Sequence, residues 1–278
     1  KSADLKVAAK RVAWGKALNA GQTCIAPDYL MIHEDVKDKF LKLLVKEWQH
    51  LLTNDPQQAK HFVRIVSDKA LDRLISYLPD SQSPIAYGQI YHGGTYDKAE
   101  RYLSPTILTN VSPDAPVMQE EIFGPIFPVL TFTKIEEVTE FVTKREKPLA
   151  LYYFGREQDG WEVVRRTSSG GGCINDTIIH LATSEMGFGG DGESGMGSYH
   201  GKTGFDAFSH TKSIVDKKTW MDLPMRYQPY DRKLNGKLLK MFLKICLMQT
   251  TNKVFMVMPV RFGYNPQTAA NNTFQKEG

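Results

Sequence analysis

The sequence predicts an α/β protein in which a largely parallel sheet is flanked by helices. Short apolar runs of strand length alternate with longer segments of helical periodicity, and turns rich in Gly, Pro and Ser separate them. This alternation is typical of parallel strands that are joined by helices. In such sheets the functional loops follow the carboxyl ends of the strands. The strand-like runs lie within Cys24–Ile32, Leu103–Leu108, Pro125–Phe132, Leu149–Phe154 and Gly172–Asn175.

The helices are predicted from periodicity and from capping residues. Residues 4–20 have a helical pattern, and Gly21 is the predicted cap at its C-terminal end. Asp35 is the predicted N-cap of a second helix, and Ser67 is the predicted N-cap of a third. Two further helices are predicted at Ile135–Val142 and Trp161–Arg166.

The composition is that of an ordinary globular protein. Hydrophobic residues make up 41% of the 278 residues and charged residues 24%, and the formal net charge of +4 is too small to indicate a nucleic-acid partner. Three widely spaced cysteines argue against a disulfide framework and favour a reducing compartment, so we expect a cytoplasmic protein. The chain does not begin with Met and opens inside a helical pattern, so we expect its natural N-terminus to lie upstream.

Cys24 is the candidate nucleophile. It follows a helical pattern, precedes an apolar run and is framed by small and polar residues, an arrangement that can present its sulfur to a cleft. A thiolate is the most nucleophilic side chain near neutral pH, although free cysteines are more often inert residues of the core. Cys173 and Cys246 lack this setting, and we interpret them as structural or incidental.

Three segments, taken in order, resemble the catalytic half of the aldehyde dehydrogenase superfamily. They are Gly21-Gln22-Thr23-Cys24, then Glu120-Glu121-Ile122-Phe123-Gly124-Pro125, then Gly187-Phe188-Gly189-Gly190 with Ser194-Gly195-Met196-Gly197. The extension to Ile25-Ala26-Pro27-Asp28-Tyr29 and the segments Ser198–Lys202 and Phe205–His210 are similar to the class 3 and fatty aldehyde dehydrogenase branch. The resemblance covers residues 1 to about 230.

The resemblance implies an enzyme that oxidises medium- or long-chain aliphatic or aromatic aldehydes. Cys24 would form a thiohemiacetal and then a thioester, and NAD, or alternatively NADP, would accept the hydride. Glu121 would accept hydrogen bonds from the ribose hydroxyls, and Phe123 would pack against the nicotinamide side of the cofactor. Glu120 is the weaker choice for the carboxylate, because the family's functional one directly precedes Ile-Phe-Gly-Pro. The family also implies a homodimer.

The chain departs from the family in what it lacks. The Rossmann-like cofactor domain, the segment that bears the general base and the asparagine of the oxyanion hole are all absent from the sequence. We therefore interpret the chain as an N-terminally truncated fragment and expect it to be inactive in aldehyde oxidation. Two alternatives remain open: a catalytically silent remnant that serves binding or dimerisation, and a cofactor-independent thiol esterase that uses Cys24.

Two further patterns carry less information. Residues 187–192 fit G-x-G-x-x-G, but the glycine-rich stretch that follows cannot open a good helix, so we reject a dinucleotide phosphate loop. The family's usual Pro-Phe-Gly-Gly reads Gly187-Phe188-Gly189-Gly190 here. The histidines at 180, 200 and 210 show no spacing of metal ligands, and we assign no metal.

The predicted organisation has three parts. Residues 1–205 form the catalytic domain, 206–222 a bridging strand region for oligomerisation, and 223–278 a linker, a basic amphipathic helix and a polar tail. Residues 237–248 are apolar and basic but too short to span a bilayer. They could lie on the cytosolic surface of an intracellular membrane, cover the mouth of the substrate tunnel or pack on a partner subunit.

Overall fold

The computed structural model describes residues 1–80, 84, 87–220, 222–223, 226–228, 236–238 and 240–241. Its helices are α1 (Leu5–Ala17), α2 (Glu34–Leu52), α3 (Asp68–Ile75), α4 (Ile135–Thr143), α5 (Glu157–Arg166) and α6 (Gly201–Ala207). Its strands are β1 (Leu30–His33), β2 (Gln89–His92), β3 (Tyr96–Asp97), β4 (Tyr102–Leu103), β5 (Thr106–Thr109), β6 (Ile126–Phe132), β7 (Ala150–Tyr153) and β8 (Gly171–Ile174).

The predicted α/β fold with a largely parallel sheet is confirmed. The main sheet has the strand order β1-β6-β5-β2, in which β6 is parallel to both β1 and β5, and β2 is antiparallel to β5. A second, two-stranded sheet pairs β7 with β8 in parallel, and a third pairs β3 with β4. The functional loops therefore gather where β1 and β7 face one open cleft.

The core forms where α1 and α2 pack on the main sheet. Small residues of α1, such as Ala9 and Ala13, are fully buried and allow α2 to approach closely. Trp48 of α2 is stacked on Phe127 of β6, with their ring centroids 5.9 Å apart, and its indole N–H donates to the carbonyl oxygen of Ala13 at 3.1 Å. This one side chain thus joins both helices to the sheet, and it satisfies its polar atom inside the core.

Two N-cap predictions have different outcomes. Ser67 caps α3 as predicted, because its hydroxyl accepts a hydrogen bond from the backbone N–H of Ala70. The prediction for Asp35 is wrong, since α2 begins one residue earlier, at Glu34. There the ring Nδ1 of His33 is the capping acceptor and receives the N–H of Asp35 at 3.2 Å. Asp35 instead places its negative charge in the first turn, where it favours the helix dipole.

Two predicted strands are shorter than expected. Only Leu30–His33 of the 24–32 segment is a strand, because the chain makes a turn in which the N–H of Ala26 bonds to the carbonyl oxygen of Thr23. The 103–108 segment is divided into β4 and β5 at Pro105, whose nitrogen has no hydrogen to donate. The strands at β6, β7 and β8 match their predictions within a residue or two.

The chain divides into two compact units, Lys1–Thr211 and Lys212–Gly278. The boundary falls inside the segment predicted to be a bridging strand, and the assignment of the three parts stays a prediction. The predicted basic helix at 237–248 lies largely outside the described residues. Within the described residues, no helix is both long and apolar enough to cross a bilayer.

Candidate active site

Cys24 and Glu121 line the same open cleft. The cleft has a volume of about 930 Å³ and runs between the edge of β1 and the edge of β7. The Cys24 side chain is exposed in it, and both Glu120 and Glu121 contribute to its wall. Phe123 does not line the cleft, although 38% of its surface is exposed two residues further on. The structure thus brings together two of the three predicted site residues.

Cys24 stands on a loop with an unusual backbone. Helix α1 ends at Ala17, and Asn19, Ala20 and Gly21 all have positive φ values. Only Gly21 adopts such a conformation without strain. The prediction that Gly21 caps the first helix is wrong, because α1 ends at Ala17 with Leu18 as its C-cap, and Gly21 is the last residue of the short 3-10 helix that follows. The positive φ values turn the chain here, and Cys24 and residues 26–29 then line the cleft.

Gln22 fixes the loop on one side of Cys24. Its side chain is 91% buried, its Nε2 donates to the carbonyl oxygens of Asn19 and Arg64 at 3.1 Å, and its Oε1 accepts the N–H of Val66 at 2.9 Å. Two N–H groups and the carbonyl oxygen of the Gln22 side-chain amide are therefore all hydrogen-bonded. The buried amide joins the nucleophile loop to the segment that leads into α3.

Ile25 fixes the loop on the other side. Its side chain is buried in a small apolar cluster with Ile178 and Phe188. Its carbonyl oxygen accepts a hydrogen bond of 2.7 Å from the hydroxyl of Tyr152 on β7. The thiol of Cys24 is consequently held between two anchored neighbours while its own side chain remains exposed.

The segment Glu121–Phe123 is held by two charged side chains that the sequence did not mark as functional. The guanidinium of Arg73 donates to the carbonyl oxygens of Glu121 at 3.1 Å and Ile122 at 2.6 Å. The carboxylate of Asp28 accepts the N–H of Ile122 at 3.0 Å. In the sequence, Asp28 stood out only as part of a motif. Its hydrogen-bond partner, Ile122, lies 94 residues away, so no local pattern could predict this contact.

A buried lysine lies behind this segment. Lys16 is 1% exposed, its ammonium donates to the backbone carbonyl of Asp28 at 3.3 Å, and it lies 4.7 Å from the centroid of the Phe127 ring. Burial lowers the pKa of Lys16 to about 8, against the opposing attraction of Asp28 and Glu121. The only sequence signal for it was a lysine within the apolar pattern of α1.

The carboxylates of this region are harder to ionise than usual. Burial raises the pKa of Asp28, although Lys16 and the N–H of Ile122 oppose the shift. The pKa of Glu121 is also raised, first by desolvation and then by the charge of Asp28, while Arg73 and Lys16 oppose the shift. The Glu121 side chain is nevertheless exposed to the open cleft. The four groups form one coupled electrostatic unit.

Cys173 has a partner that the sequence analysis did not anticipate. Its sulfur lies 3.5 Å from Nδ1 of His180, and the imidazole packs between the rings of Tyr152 and Phe188. Burial raises the pKa of the Cys173 thiol and lowers the pKa of His180, so both groups favour their neutral forms. A neutral, half-buried thiol of this kind fits the structural role predicted for Cys173. Cys246 lies outside the described residues.

The glycine-rich loop does not have the geometry of a dinucleotide phosphate site. Phe188 forms an isolated antiparallel bridge with Tyr199, and only a 3-10 turn, Gly192–Ser194, follows the G-x-G-x-x-G pattern. Among the described residues, no three His, Cys, Asp or Glu side chains are grouped so that they could hold a metal ion.

The profile of the aldehyde dehydrogenase family matches residues 1–214. This chain belongs to the aldehyde dehydrogenase family. The predicted resemblance is therefore confirmed, including its direction toward class 3. A protein of Staphylococcus aureus described as 4,4'-diaponeurosporen-aldehyde dehydrogenase is 44% identical over 244 residues, which are 87% of this chain and 52% of that protein.

Other members show the same partial coverage. The rat protein described as aldehyde dehydrogenase, dimeric NADP-preferring, is 43% identical over 218 residues, which are 78% of this chain and 47% of the relative. A solved structure of the substrate-bound state of Staphylococcus aureus AldH superposes with a TM-score of 0.81 at 43% identity, covering 87% of this chain and 52% of that one. The chain thus spans about half the length of these relatives.

Proposed function

We propose that this chain is the nucleophile-bearing part of an NAD(P)-dependent aldehyde dehydrogenase. The observation that carries the proposal is the shared cleft, because one chain segment exposes a thiol there and another exposes a carboxylate. Thioester chemistry needs the thiol, and positioning of a nucleoside needs an acceptor for paired hydroxyl donors. Family membership supports both roles.

In the proposed reaction Cys24 attacks the aldehyde carbon as a thiolate and forms a carbon–sulfur bond. The carbonyl oxygen becomes an alkoxide, which the backbone N–H of Cys24 can stabilise. Collapse of this alkoxide expels hydride from carbon and leaves a thioester on Cys24; a bound nicotinamide would supply the hydride acceptor. Water then releases the carboxylic acid and restores the thiol, with help from a general base on a segment that this sequence does not contain.

The residues present fit part of a nicotinamide cofactor. The carboxylate of Glu121 is exposed to the cleft and can accept two ribose hydroxyls; Phe123, two residues further on, is 38% exposed but lies outside the cleft lining. We propose NAD as the cofactor, with NADP as the alternative, since some relatives are described as NADP-preferring. Residues for the remainder of the dinucleotide are not assigned in this chain.

The proposed substrates are medium- or long-chain aliphatic or aromatic aldehydes. Support comes from the apolar side chains of the cleft, which include Leu30, Phe132 and Leu149. We further propose a homodimer for the complete protein, which is in keeping with relatives described as dimeric. A cytoplasmic location, with residues 237–248 touching the cytosolic face of an intracellular membrane, also remains a proposal.

Cofactor-independent thiol esterase activity is the second candidate. The exposure of Cys24 favours it, because an accessible thiol can accept an acyl group from an activated ester without any nucleotide. A catalytically silent remnant that serves binding or dimerisation is the third possibility. It stays open because this chain matches only about half of the length of its relatives.

The deciding experiment begins with the transcript upstream of Lys1. If an open frame continues into a cofactor domain, the complete protein is assayed for NADH formation with a long-chain aldehyde, beside Glu121→Gln. Loss of the two charged hydrogen bonds, each worth about 1.5–3 kcal/mol, should weaken hydride transfer more than it weakens folding. A shifted melting temperature with unchanged turnover would assign Glu121 a purely structural role.

A further inference from the structure

The backbone at residues 121–122 is clamped from two sides. Three consecutive polar groups, the carbonyl of Glu121 and the N–H and carbonyl of Ile122, each bond to a charged side chain. Arg73 of α3 approaches the two carbonyls, and Asp28 of the nucleophile loop approaches the N–H. Turns of this kind usually bond to backbone or water, so the use of charged groups from two distant segments is a specific feature.

The clamp holds a backbone conformation that a non-glycine residue resists. Phe123 has a φ of 50°, in the left-handed region, where a residue with a Cβ atom pays about 1–2 kcal/mol. Gly124 follows, and a Cβ there would lie 2.5 Å from a methyl carbon of Leu74 on α3. The turn therefore presses directly against the helix that supplies Arg73. This strained turn carries both Glu121 and Phe123.

The acidic half of the clamp is itself supported. Asp28 is half-buried in the wall of the cleft, and the ammonium of Lys16 reaches its backbone carbonyl at 3.3 Å. Lys16 also packs against Gly21, since a Cβ there would meet its Cδ at 3.2 Å. A carboxylate that is partly removed from water and bonds to a single backbone N–H is stabilised by an opposite charge close by. Lys16 provides that charge.

We propose that Asp28 and Arg73 are positioning residues that fix the Glu121–Phe123 turn and couple it to the loop of Cys24. Asp28 follows Cys24 by four residues, so the clamp sets the placement of the carboxylate and the ring relative to the nucleophile. The functional meaning of this placement rests on the proposed function, in which Glu121 and Phe123 contact the nucleotide.

The test measures the conformation of the turn directly in the 278-residue chain without nucleotide. Phe123 is replaced by 4-fluorophenylalanine, and its ¹⁹F resonance is recorded in the parent and in Asp28→Leu, Asp28→Asn, Arg73→Ala and Arg73→Lys. A second label at Phe62, a core residue of another cluster, reports on the fold as a whole. Arg145→Ala is the matched control, because its guanidinium packs on the Phe141 ring at 3.6 Å and donates to the carbonyl of Pro113 rather than to the turn.

Asp28→Leu, Arg73→Ala and Arg73→Lys should shift or broaden the Phe123 resonance and leave the Phe62 resonance unchanged. Arg73→Lys belongs to this group because an ammonium cannot bridge two carbonyls as the guanidinium fork does. Asp28→Asn retains an acceptor oxygen and should keep the parent resonance, as should Arg145→Ala. This pattern would also distinguish a hydrogen-bonding role of Asp28 from a general packing role, because Asp28→Asn and Asp28→Leu would have the same effect if Asp28 only filled space.

A parent-like Phe123 resonance in Asp28→Leu and Arg73→Ala would overturn the proposal. If those two variants unfold, the Phe62 resonance will change as well, and the test then depends on the folded Arg73→Lys variant. The proposal requires that the Phe123 resonance of this variant shifts while its Phe62 resonance does not. The proposed function is judged separately, by the Glu121→Gln assay in the longer protein, whereas the nucleotide-free resonances judge the clamp alone.

Discussion

Lys16 shows how one residue couples the site to the stability of the fold. Its ammonium is buried at the centre of a group of charges that includes Asp28 and Glu121. The cost of desolvation exceeds the attraction of these neighbours, so the folded protein binds this proton less tightly than the unfolded chain does. The buried charge therefore lowers the free energy of unfolding at neutral pH, and the packing of the surrounding core has to offset this loss.

The pH dependence of stability should reveal this destabilisation by the buried charge of Lys16. The pKa of Lys16 falls from 10.5 to about 8 on folding, so between these values the unfolded chain holds a proton that the folded chain has released. The free energy of unfolding should consequently rise with pH across this window, by up to about 3 kcal/mol from this residue. Urea unfolding at pH 7.5 and pH 10, compared with Lys16→Met, isolates the contribution. Equal pH dependence in both proteins would contradict it.

The two described thiols should differ in reactivity. Cys24 is exposed in the cleft, whereas Cys173 is half-buried with a raised pKa. An activated long-chain ester should therefore acylate Cys24, and Cys24→Ala should abolish that acylation while Cys173→Ala leaves most of it. Peptide mass spectrometry locates the acyl group. Preferential acylation of Cys173 would remove the basis for Cys24 as the nucleophile.

At this scale the sequence motifs predict Cys24, Glu121 and Phe123 as site residues, and the structure places the first two in one cleft. Their chemical roles stay predictions. Arg73 could not be predicted, because nothing near it in the sequence reveals a contact with carbonyls 48 and 49 residues away. Motifs thus suggest which groups carry chemistry, but contacts between distant segments determine which groups hold them in place.

Among the elements, the loop of Cys24 and the Glu121–Phe123 turn approach each other closely. Gly21 has a φ of 72°, and a Cβ atom there would lie 2.4 Å from the carbonyl oxygen of Gly124. Backbone thus meets backbone with no room for a side chain. The two segments that carry the predicted site residues are in direct contact through a pair of glycines.

Replacement of Gly21 should be far more damaging than replacement of a comparable glycine. Gly21→Ala combines a positive φ with a backbone clash and should destabilise the fold by about 3 kcal/mol or more. Gly197 is the control, because its φ is 76° but no atom lies within 4 Å of a Cβ placed there. Gly197→Ala should cost only about 1 kcal/mol, from the backbone alone. Equal losses in chemical denaturation would show that the clash is relieved by movement of the loop.

The elements were predictable where a local signal determines them. The cap at Ser67 and the strands β6, β7 and β8 follow from side-chain chemistry and apolar runs within a few residues. The apolar run after Cys24 misled the prediction, since Ile25 is buried by contacts with Ile178 and Phe188 rather than by strand pairing. An apolar residue in the sequence indicates that a side chain is buried, but it does not indicate whether the backbone there is a strand or a turn.

For the whole molecule, the cleft is the dominant feature. It exposes Cys24 and Glu121 together with apolar residues of β1 and β7. The Staphylococcus aureus and rat relatives are matched over only about half of their own length. Exposed apolar surface of this kind favours association between chains.

The 278-residue chain should show no appreciable NAD-dependent aldehyde oxidation. In the proposed mechanism the general base, an oxyanion donor and most of the cofactor surface come from segments that are not among these residues, and correct positioning can supply about 7–11 kcal/mol of rate enhancement. The check is NADH production by the purified chain with a long-chain aldehyde, together with calorimetric titration with NAD. Robust turnover, or tight NAD binding, would show that the cofactor site is built within these residues.

The hydrogen bond between Tyr152 and the carbonyl of Ile25 joins residues 127 positions apart. On a ribosome that adds about 5–20 residues per second, the Cys24 loop waits roughly 6–25 s for this anchor to be made. Through that interval the thiol of Cys24 is exposed, as it also is in the finished fold, but its loop lacks the anchor on the side of Ile25. The placement of this thiol is therefore completed only after β7 has been synthesised.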